Sequence, residues 1–175
     1  MTDRRTPGFP PLAGPDIHTL ILGTLPSQRS LESSHYYGHP RNAFWRIMAA
    51  LYDAGPELDY PERCRRLVAA GIGVWDVLRA SVRPGSLDAA IDVSTATAND
   101  FPAFLARHPA VGRIFFNGTA AGRLFQRLVE PDLDLGGRSI AYGTLPSTSP
   151  AHATMSFEKK LQRWSVVAAT QEAVR

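Results

Sequence analysis

Short apolar runs alternate with stretches of helical periodicity along this chain. The apolar runs have the length and the Gly or Pro boundaries of buried strands, and they cover residues 17–23, 72–78, 111–117 and 138–142. Between and after them, apolar residues recur every three or four positions. The helices that this pattern predicts cover residues 43–52, 61–70, 100–107, 119–129 and 156–170. Strands that alternate with helices favour a parallel sheet with helices on both faces.

Two stretches lack either period. Residues 1–16 carry four prolines and two glycines, which predicts an extended, flexible arm. The remaining residues, 17–175, are then expected to form a single domain, as the length allows. Residues 79–97 contain Pro84 and Gly85 and predict a long ordered loop, which in a compact domain usually has a functional role.

Composition narrows the class of protein. The formal net charge is +3 and the pI is about 9.3, with arginine in excess because Lys159 and Lys160 are the only lysines. This balance fits a polyanionic partner, although a small positive excess is common on protein surfaces. The single cysteine, Cys64, excludes intramolecular disulfides and Cys-rich metal or iron–sulfur sites. No signal-peptide core or membrane-length run is present, so we expect a cytoplasmic protein without a membrane partner.

One pentapeptide occurs twice, each time next to a predicted strand. Gly-Thr-Leu-Pro-Ser stands at residues 23–27 and again at residues 143–147. Such a loop can bring backbone N–H groups and a serine close to a phosphate or a water. The glycine spacing matches neither the phosphate-binding loop nor the dinucleotide fingerprint. Because ligands of parallel sheets bind beyond the carboxyl ends of the strands, we expect both loops and Asn117 to meet at one site.

Longer motifs surround these loops. In chain order they are Gly23-Thr24-Leu25-Pro26-Ser27, Tyr36-Tyr37-Gly38-His39-Pro40-Arg41-Asn42-Ala43-Phe44-Trp45, Gly73-Val74-Trp75-Asp76-Val77-Leu78, Gly85-Ser86-Leu87-Asp88, Ile114-Phe115-Phe116-Asn117-Gly118 and Leu145-Pro146-Ser147-Thr148-Ser149-Pro150-Ala151. From Ile17 to Trp164 the chain resembles the hypoxanthine-DNA glycosylase branch of the uracil-DNA glycosylase superfamily. The His-Pro-x-Asn-x-Phe-Trp segment is also similar to the mismatch-specific uracil/thymine glycosylases.

The resemblance implies a three-layer α/β/α fold with a central four-stranded parallel sheet. It also implies a monomeric, monofunctional glycosylase that uses no metal or organic cofactor. Its partner would be DNA, single- or double-stranded, that contains a deaminated base, with hypoxanthine as the first substrate and uracil as the second. The enzyme would flip this base out of the stack and hydrolyse its N-glycosidic bond in base excision repair.

The resemblance also assigns substrate contacts. Tyr37 would stack on the flipped base, with Tyr36 beside it, and Asn117 would read the base edge, although each has an ordinary packing or turn role as an alternative. His39 could protonate a purine leaving group or could be a structural loop residue. The first loop would form a wall of the pocket that includes Leu25 and Pro26.

The main departure from the superfamily pattern lies in that wall. Leu25 stands where most members have an Asp or Asn that holds the attacking water, and leucine can neither donate nor accept a hydrogen bond. Asn42 is then the main candidate to position the water or the leaving base, with an N-cap role for the following helix as the alternative. Thr24 and Ser27 would add hydroxyl or backbone contacts.

The second loop is expected to hold DNA. Ser147, Thr148, Ser149 and Pro150 correspond to the segment that pinches phosphates in relatives, and His152 would lie at the tip of a wedge. Arg41, Arg83 and Lys159 are further candidates for phosphate contacts.

The same residues leave three alternative functions open. A catalytically weak lesion-binding module is favoured by Leu25. A mismatch-specific uracil/thymine glycosylase is favoured by the His-Pro segment, and an unrelated nucleotide-binding or hydrolytic enzyme could use the two loops for phosphate.

Overall fold

A computed structural model describes residues 5–169. In chain order the strands are β1 (Thr6–Pro7), β2 (Thr19–Gly23), β3 (Ile72–Asp76), β4 (Leu78–Val82), β5 (Asp92–Ala98), β6 (Arg113–Asn117) and β7 (Ala141–Leu145). The α-helices are α1 (Gln28–Ser33), α2 (Phe44–Tyr52), α3 (Tyr60–Ala69), α4 (Phe101–Arg107), α5 (Thr119–Leu128) and α6 (Phe157–Trp164). Short 3-10 turns cover Asp88–Ala90, Glu130–Asp132 and Ser165–Val167.

The central sheet has four parallel strands in the order β3-β2-β6-β7. The register places Gly23 opposite Asp76 and Asn117 opposite Leu145, so the strands end at a common edge. The predicted fold class, a mixed α/β domain around a four-stranded parallel sheet, is confirmed.

Both faces of this sheet are covered. Side chains alternate across a strand, so Leu20 and Leu22 belong to one apolar cluster while Ile21 belongs to the other. The first cluster includes Phe104 of α4 and Phe125 of α5, whereas the second joins residues of α2, α3 and α6. The result is the predicted three-layer arrangement, in which the sheet edge remains available for a site.

The prediction of a long loop over residues 79–97 is wrong. This stretch forms most of an antiparallel hairpin of β4 and β5, which joins β1 in a second sheet of order β1-β4-β5. Register shifts interrupt the pairing, and the Thr95 hydroxyl accepts the Val82 N–H at 2.9 Å in place of a backbone partner. These irregularities remove the strict alternation by which a strand is recognised in sequence.

The N-terminal segment is extended but packed on the domain in its described part, residues 5–16, rather than forming a separate flexible arm. Thr6 pairs with Ser81, and Leu12 forms a bridge with Val74. The Tyr36 hydroxyl donates to the Pro10 carbonyl at 2.7 Å, and the Trp75 indole N–H donates to the Phe9 carbonyl at 3.1 Å. Proline-rich backbone lacks N–H donors but keeps its carbonyl acceptors, and these contacts use them. Residues 1–4 lie outside the described part.

Several element boundaries also differ from the prediction. The last strand covers residues 141–145 rather than 138–142. Arg138 lies before this strand, and its guanidinium donates to the Leu105 and Val111 carbonyls at 2.9 Å. Helix α6 ends at Trp164 and a 3-10 turn follows, while its predicted end near Thr170 lies outside the described residues. Within residues 5–169, no helix is both long enough and apolar enough to cross a membrane.

Candidate active site

A cavity of about 380 Å³ opens at the common edge where the strands of the central sheet end. Its size lies at the lower end of the range of roughly 300–1,000 Å³ that is usual for small-molecule pockets. The predicted catalytic, base-binding and loop residues line it, with the exceptions of His39 and Pro150. The further candidates for phosphate contacts, Arg41, Arg83 and Lys159, lie outside the lining. The structure therefore brings the two pentapeptide loops together at one site, as expected from the strand order.

The first loop is fixed by the hydroxyl groups of its own sequence. Ser27 is the N-cap of α1, and its side chain accepts the Ser30 N–H at 3.1 Å. The Thr24 hydroxyl donates to Oδ1 of Asp88 at 2.6 Å. Leu25 is buried in the apolar cluster beneath the loop. Two of the three predicted catalytic residues, Thr24 and Ser27, are thus engaged within the wall of the cavity.

The tip of the β4–β5 hairpin, residues 83–91, is fastened to this loop. The buried Arg83 guanidinium donates to the Leu25 and Pro26 carbonyls, and the Ser86 hydroxyl accepts the Gln28 N–H at 3.0 Å. Arg83 therefore holds the wall of the cavity together, which corrects its assignment as a phosphate contact. The tip also carries Leu87, whose side chain is 59% exposed on the cavity rim.

Asp76, at the end of β3, is a buried carboxylic acid that sequence reasoning missed. It is only 4% exposed, lines the cavity, and has no hydrogen-bond partner for Oδ2 among residues 5–169. Burial raises the pKa of Asp76 to about 7, with Asp88 adding to the rise and Arg83 opposing it. A carboxyl group in this setting exchanges its proton near neutral pH.

Gly23 leaves the space that Asp76 occupies. A Cβ atom at residue 23 would lie 2.6 Å from Oδ1 of Asp76 and 3.1 Å from the Tyr37 hydroxyl. A side chain there would displace both groups, so the first glycine of the pentapeptide is needed for the site itself. The glycine was visible in the sequence, but its neighbours across the sheet were not.

Tyr37 presents an aromatic face to the cavity. Its backbone is in the left-handed region, with φ 53°, and its ring stacks on Phe44 with centroids 4.0 Å apart. Because Phe44 covers one face of the ring, the opposite face is the one that can stack on a base. The hydroxyl is buried without a hydrogen-bond partner in the described part of the chain. Burial, reinforced by Asp76, raises the pKa of Tyr37, so the phenol stays neutral.

Tyr36 and His39 have structural contacts. Besides the bond from its hydroxyl to Pro10, Tyr36 donates its N–H to the Tyr60 hydroxyl at 2.9 Å, and its carbonyl accepts the Trp45 indole N–H at 2.8 Å. His39 lies outside the cavity lining, and its Nδ1 accepts the Arg41 N–H at 3.1 Å. The local turn before α2 therefore uses the ring of His39 as an acceptor.

Asn42 caps the helix that follows it and also lines the cavity. Its Oδ1 accepts the Phe44 N–H at 3.0 Å, which caps the first turn of α2 although the formal N-cap residue is Ala43. Since an N–H group must face the amide oxygen, this bond fixes the orientation of the amide. The Nδ2 group points the other way, and Asn42 lines the cavity.

Asn117 joins the second loop to the sheet. Its Oδ1 accepts the Thr148 N–H and its Nδ2 donates to the Thr148 hydroxyl, both at 2.9 Å. The Thr148 carbonyl in turn accepts the Ala43 N–H at 3.0 Å. These bonds leave Asn117 one amide hydrogen and one oxygen lone pair for a base. Its main visible role is to hold the second loop against α2.

The rest of the second loop curls over the start of α5. The Ser147 hydroxyl accepts the Ser149 N–H at 3.2 Å, and the Lys160 ammonium group donates to the His152 carbonyl at 2.7 Å. Lys160 is only 5% exposed, because its amine lies against the loop and supports it. The N-terminus of α5 has no side-chain cap and borders the cavity at Gly118 and Thr119.

The described residues contain no group of three or more His, Cys, Asp or Glu side chains that could hold a metal ion. What the cavity does offer is an aromatic face, an oriented amide and two carboxyl groups, those of Asp76 and Asp88. Together these can bind a planar polar ring and transfer protons to and from it.

Comparisons with known proteins agree with this geometry. Residues 10–173 match the sequence model of the uracil DNA glycosylase superfamily. A hypoxanthine DNA glycosylase of Methanosarcina acetivorans is 35% identical over 163 residues, which cover 91% of this chain and 96% of that protein. A hypoxanthine DNA glycosylase of Methanosarcina barkeri is 34% identical over 116 residues, which cover 66% of this chain and 72% of that protein.

A solved structure has the same fold. It is the solution NMR structure of a candidate uracil DNA glycosylase from Methanosarcina acetivorans, with a TM-score of 0.76 and 31% identity. The match covers 94% of this chain and 96% of that one. The chain belongs to the uracil DNA glycosylase superfamily and is a DNA glycosylase.

Proposed function

We propose that this enzyme removes deaminated bases from DNA by hydrolysis of the N-glycosidic bond, with hypoxanthine as its first substrate and uracil as its second. The observation that carries the proposal is the cavity in which the Tyr37 ring, the Asn42 amide and the Asp76 carboxyl group line one space. The two relatives named hypoxanthine DNA glycosylases support hypoxanthine as a substrate.

The aromatic face accounts for capture of the base. A glycosylase must extract its target from the stack, which costs a few kcal/mol and least for a mispaired base. Stacking on an aromatic ring offsets about 1–3 kcal/mol of that cost. The Tyr37 ring is held by Phe44 on its other face, so it does not have to be ordered when the base arrives.

The amide accounts for a preference for a carbonyl-bearing base. Deamination of adenine or cytosine replaces an exocyclic amine by a carbonyl oxygen, next to a ring N–H. The Nδ2 group of Asn42 can donate to such an oxygen but meets only another donor in an amine. Negative charge develops on the base as the bond breaks, and donors aimed at it stabilise that charge. The N-terminus of α5 adds a positive end of a helix dipole at the same cavity.

The second loop suits the DNA backbone. Ser147 and Ser149 lie at the cavity edge, and small hydroxyl residues can contact phosphates without blocking the strand. His152 lies beside them. In this proposal the enzyme acts as a cytoplasmic monomer that grips DNA through residues 147–152.

The proposal is tested with duplex oligonucleotides that contain one deoxyinosine, one deoxyuridine or neither. After incubation with the enzyme, alkali cleaves any abasic site and the products are resolved by size. We expect cleavage of the deoxyinosine strand, slower cleavage of the deoxyuridine strand and none of the control. Lesion binding without cleavage would instead favour a binding module, and cleavage of uracil and mismatched thymine without hypoxanthine would favour a mismatch-specific enzyme.

Substitutions at Asn42 separate its two contacts. Asn42→Asp keeps an oxygen for the Phe44 N–H but removes the amide donor, whereas Asn42→Ala removes both. We expect single-turnover excision of hypoxanthine to fall on the order of a hundredfold in both variants, the effect of losing one such donor. Thermal unfolding should show a loss of stability in Asn42→Ala alone. Wild-type excision by Asn42→Asp would reject the donor role.

A further inference from the structure

The side chain of Leu25, in the first loop, cannot form a hydrogen bond to a water, and the motif Gly85-Ser86-Leu87-Asp88 takes no part in the function proposed above. The structure brings this motif and the first loop together. The motif forms the hairpin tip, which places Asp88 in the cavity lining next to the first loop. Asp76 lies in the same cavity, at the end of the strand next to β2.

We propose that these two carboxyl groups divide the proton transfers of the reaction: Asp88 holds the attacking water and accepts its proton, and Asp76 donates a proton to the departing base. The proposal rests on the proposed function, since it assigns residues to steps of base hydrolysis.

Asp88 has the position and the contacts of a water-holding group. Asp88 is exposed and lines the cavity, so it lies at the cavity mouth. The sugar of a flipped nucleotide stays joined to the DNA strand outside the cavity, so the sugar must also lie near this mouth. One carboxylate oxygen receives the Thr24 hydroxyl at 2.6 Å, which fixes the group against the first loop. A carboxylate accepts several hydrogen bonds, so a water can bind it at the same time. The hairpin tip thus supplies, from another part of the chain, what Leu25 lacks.

Asp76 has the surroundings of a proton donor. It is buried among Tyr36, Tyr37, Arg83 and Asp88, and of these charged or titratable neighbours only Arg83 favours the ionised form. Its pKa of about 7 leaves a substantial protonated fraction at neutral pH. It is buried, and its Oδ1 and the Tyr37 hydroxyl lie close to the same point beside Gly23, whereas Asp88 is exposed. This arrangement favours the base rather than the water as the partner of Asp76. Two carboxyl groups in environments this different are the usual basis of an acid and base pair.

The step balances without a further reactant. The bond between C1′ and the base nitrogen breaks, and its electron pair goes to the base, which receives the proton of Asp76. The water oxygen forms the new bond to C1′, and its proton passes to Asp88. Asp88 then releases that proton to solvent and Asp76 takes one up, so the products are the free base and an abasic site.

The sign of the pH dependence tests the role of Asp76. Single-turnover excision of hypoxanthine from the deoxyinosine duplex is measured from pH 6 to pH 9. For the wild type we expect the rate to fall above about pH 7, approaching tenfold per pH unit, as Asp76 loses its proton. Asp76→Asn cannot release a proton, so its rate should be at least tenfold lower at pH 6 and should no longer fall with pH. A wild-type rate that rises with pH, or an unchanged profile in Asp76→Asn, would overturn the assignment.

Asp88 is tested against a matched carboxylate on the same hairpin. Asp88→Asn should lower the excision rate on the order of a hundredfold, a typical contribution of a general base, with little change in DNA affinity. The control is Asp92→Asn, because Asp92 is exposed, lies four residues away and is outside the cavity lining. The Asp92 side chain accepts hydrogen bonds from the Ser94 N–H and hydroxyl. The excision rate of the Asp92→Asn variant therefore shows the effect of loosening the hairpin alone. Equal rates in the two variants would overturn the role of Asp88.

Failure of this inference differs from failure of the proposed function. If the wild type excises neither hypoxanthine nor uracil, the proposed function is wrong and this division of labour falls with it. If the wild type excises hypoxanthine and both Asp76→Asn and Asp88→Asn match it at every pH, the function stands and the inference is wrong.

Discussion

The two copies of Gly-Thr-Leu-Pro-Ser have the same residues but different structures. In the first copy the strand ends at the glycine, Gly23, whereas in the second copy β7 continues to the leucine, Leu145. The first copy is therefore mostly loop and the second is mostly strand. Thr24 lines the cavity and binds Asp88, while Thr144 lies exposed on the edge strand of the sheet and outside the cavity lining.

Their partners differ as well. The first copy is bound through its carbonyls to Arg83 of the hairpin, and the second through the Pro146 carbonyl to the Trp164 indole N–H at 2.9 Å. The residue at which the strand ends within the pentapeptide therefore decides which of its groups reach the cavity. In the proposed scheme the first copy serves catalysis and the second supports the DNA-binding loop. Matched substitutions in the two copies test this contrast.

The glycines should give the largest difference. In Gly23→Ala the new methyl group meets Asp76 and Tyr37, so we expect excision to fall on the order of a hundredfold as the site is displaced. In Gly143→Ala the methyl group lies 2.9 Å from the Phe115 ring, and overpacking should cost about 1–3 kcal/mol of stability with the rate retained. Single-turnover rates and urea unfolding of both variants make the comparison. Equal losses of activity would contradict the assignment of catalysis to the first copy.

The acid that Gly23 accommodates should make stability depend on pH. The pKa of Asp76 is about 7 in the folded chain and near 3.8 when unfolded, so the folded form holds a proton that the unfolded form releases. The free energy of unfolding should therefore fall by about 1.4 kcal/mol per pH unit between pH 4 and 7 because of this group. Asp76→Asn should remove that slope and be more stable than wild type at pH 8. Urea unfolding of both proteins from pH 4 to pH 8 measures these slopes. The same pH slope in the wild type and in Asp76→Asn would contradict the prediction.

The threonines should differ by less. Thr24→Val removes the hydroxyl that positions Asp88, and we expect about a tenfold loss of excision rate, the equivalent of one hydrogen bond to a charged group. Thr24→Ser should restore most of the rate because it restores the donor. Thr144→Val is the control in the second copy and should retain the wild-type rate. A Thr24→Ser variant as slow as Thr24→Val would indicate that packing, not the hydroxyl, is what matters.

The serines should give the smallest difference. Ser27→Ala removes the N-cap of α1 and should cost about 1 kcal/mol of stability with little change in DNA affinity. Ser147→Ala removes the acceptor of the Ser149 N–H and should weaken DNA binding by about 1 kcal/mol, roughly fivefold in Kd. Thermal unfolding and fluorescence anisotropy separate the two outcomes. Weaker DNA binding in Ser27→Ala, with unchanged binding in Ser147→Ala, would contradict the assignment of DNA binding to the second copy.

The framework of the fold could be predicted because it depends on local patterns. Apolar runs bounded by glycine and proline marked the strands of the central sheet, and the rule for parallel sheets then placed both pentapeptides and Asn117 at one edge. Tyr37 and Asn42 were placed at the cavity by the family resemblance of their motif and not by this rule.

The carboxyl groups could not be found in this way. Asp76 lies within an apolar strand and reads as an ordinary strand-end residue, because its burial depends on the missing side chain of Gly23 across the sheet. Asp88 was hidden by the irregular hairpin, whose register shifts disrupt the alternation. Lys160 shows a related case, in which a charged residue of an amphipathic helix is buried by a loop that only the tertiary structure brings to it.

The link between Arg83 and the first loop has an evolutionary consequence. Arg83 binds the carbonyl oxygens of Leu25 and Pro26, and every amino acid supplies a carbonyl. Residues 25 and 26 can therefore vary in a lineage without loss of this link, whereas a change of Arg83 would remove the link whatever stands in the loop. Under these conditions the side chains of the wall can change while the backbone link between Arg83 and the first loop is kept.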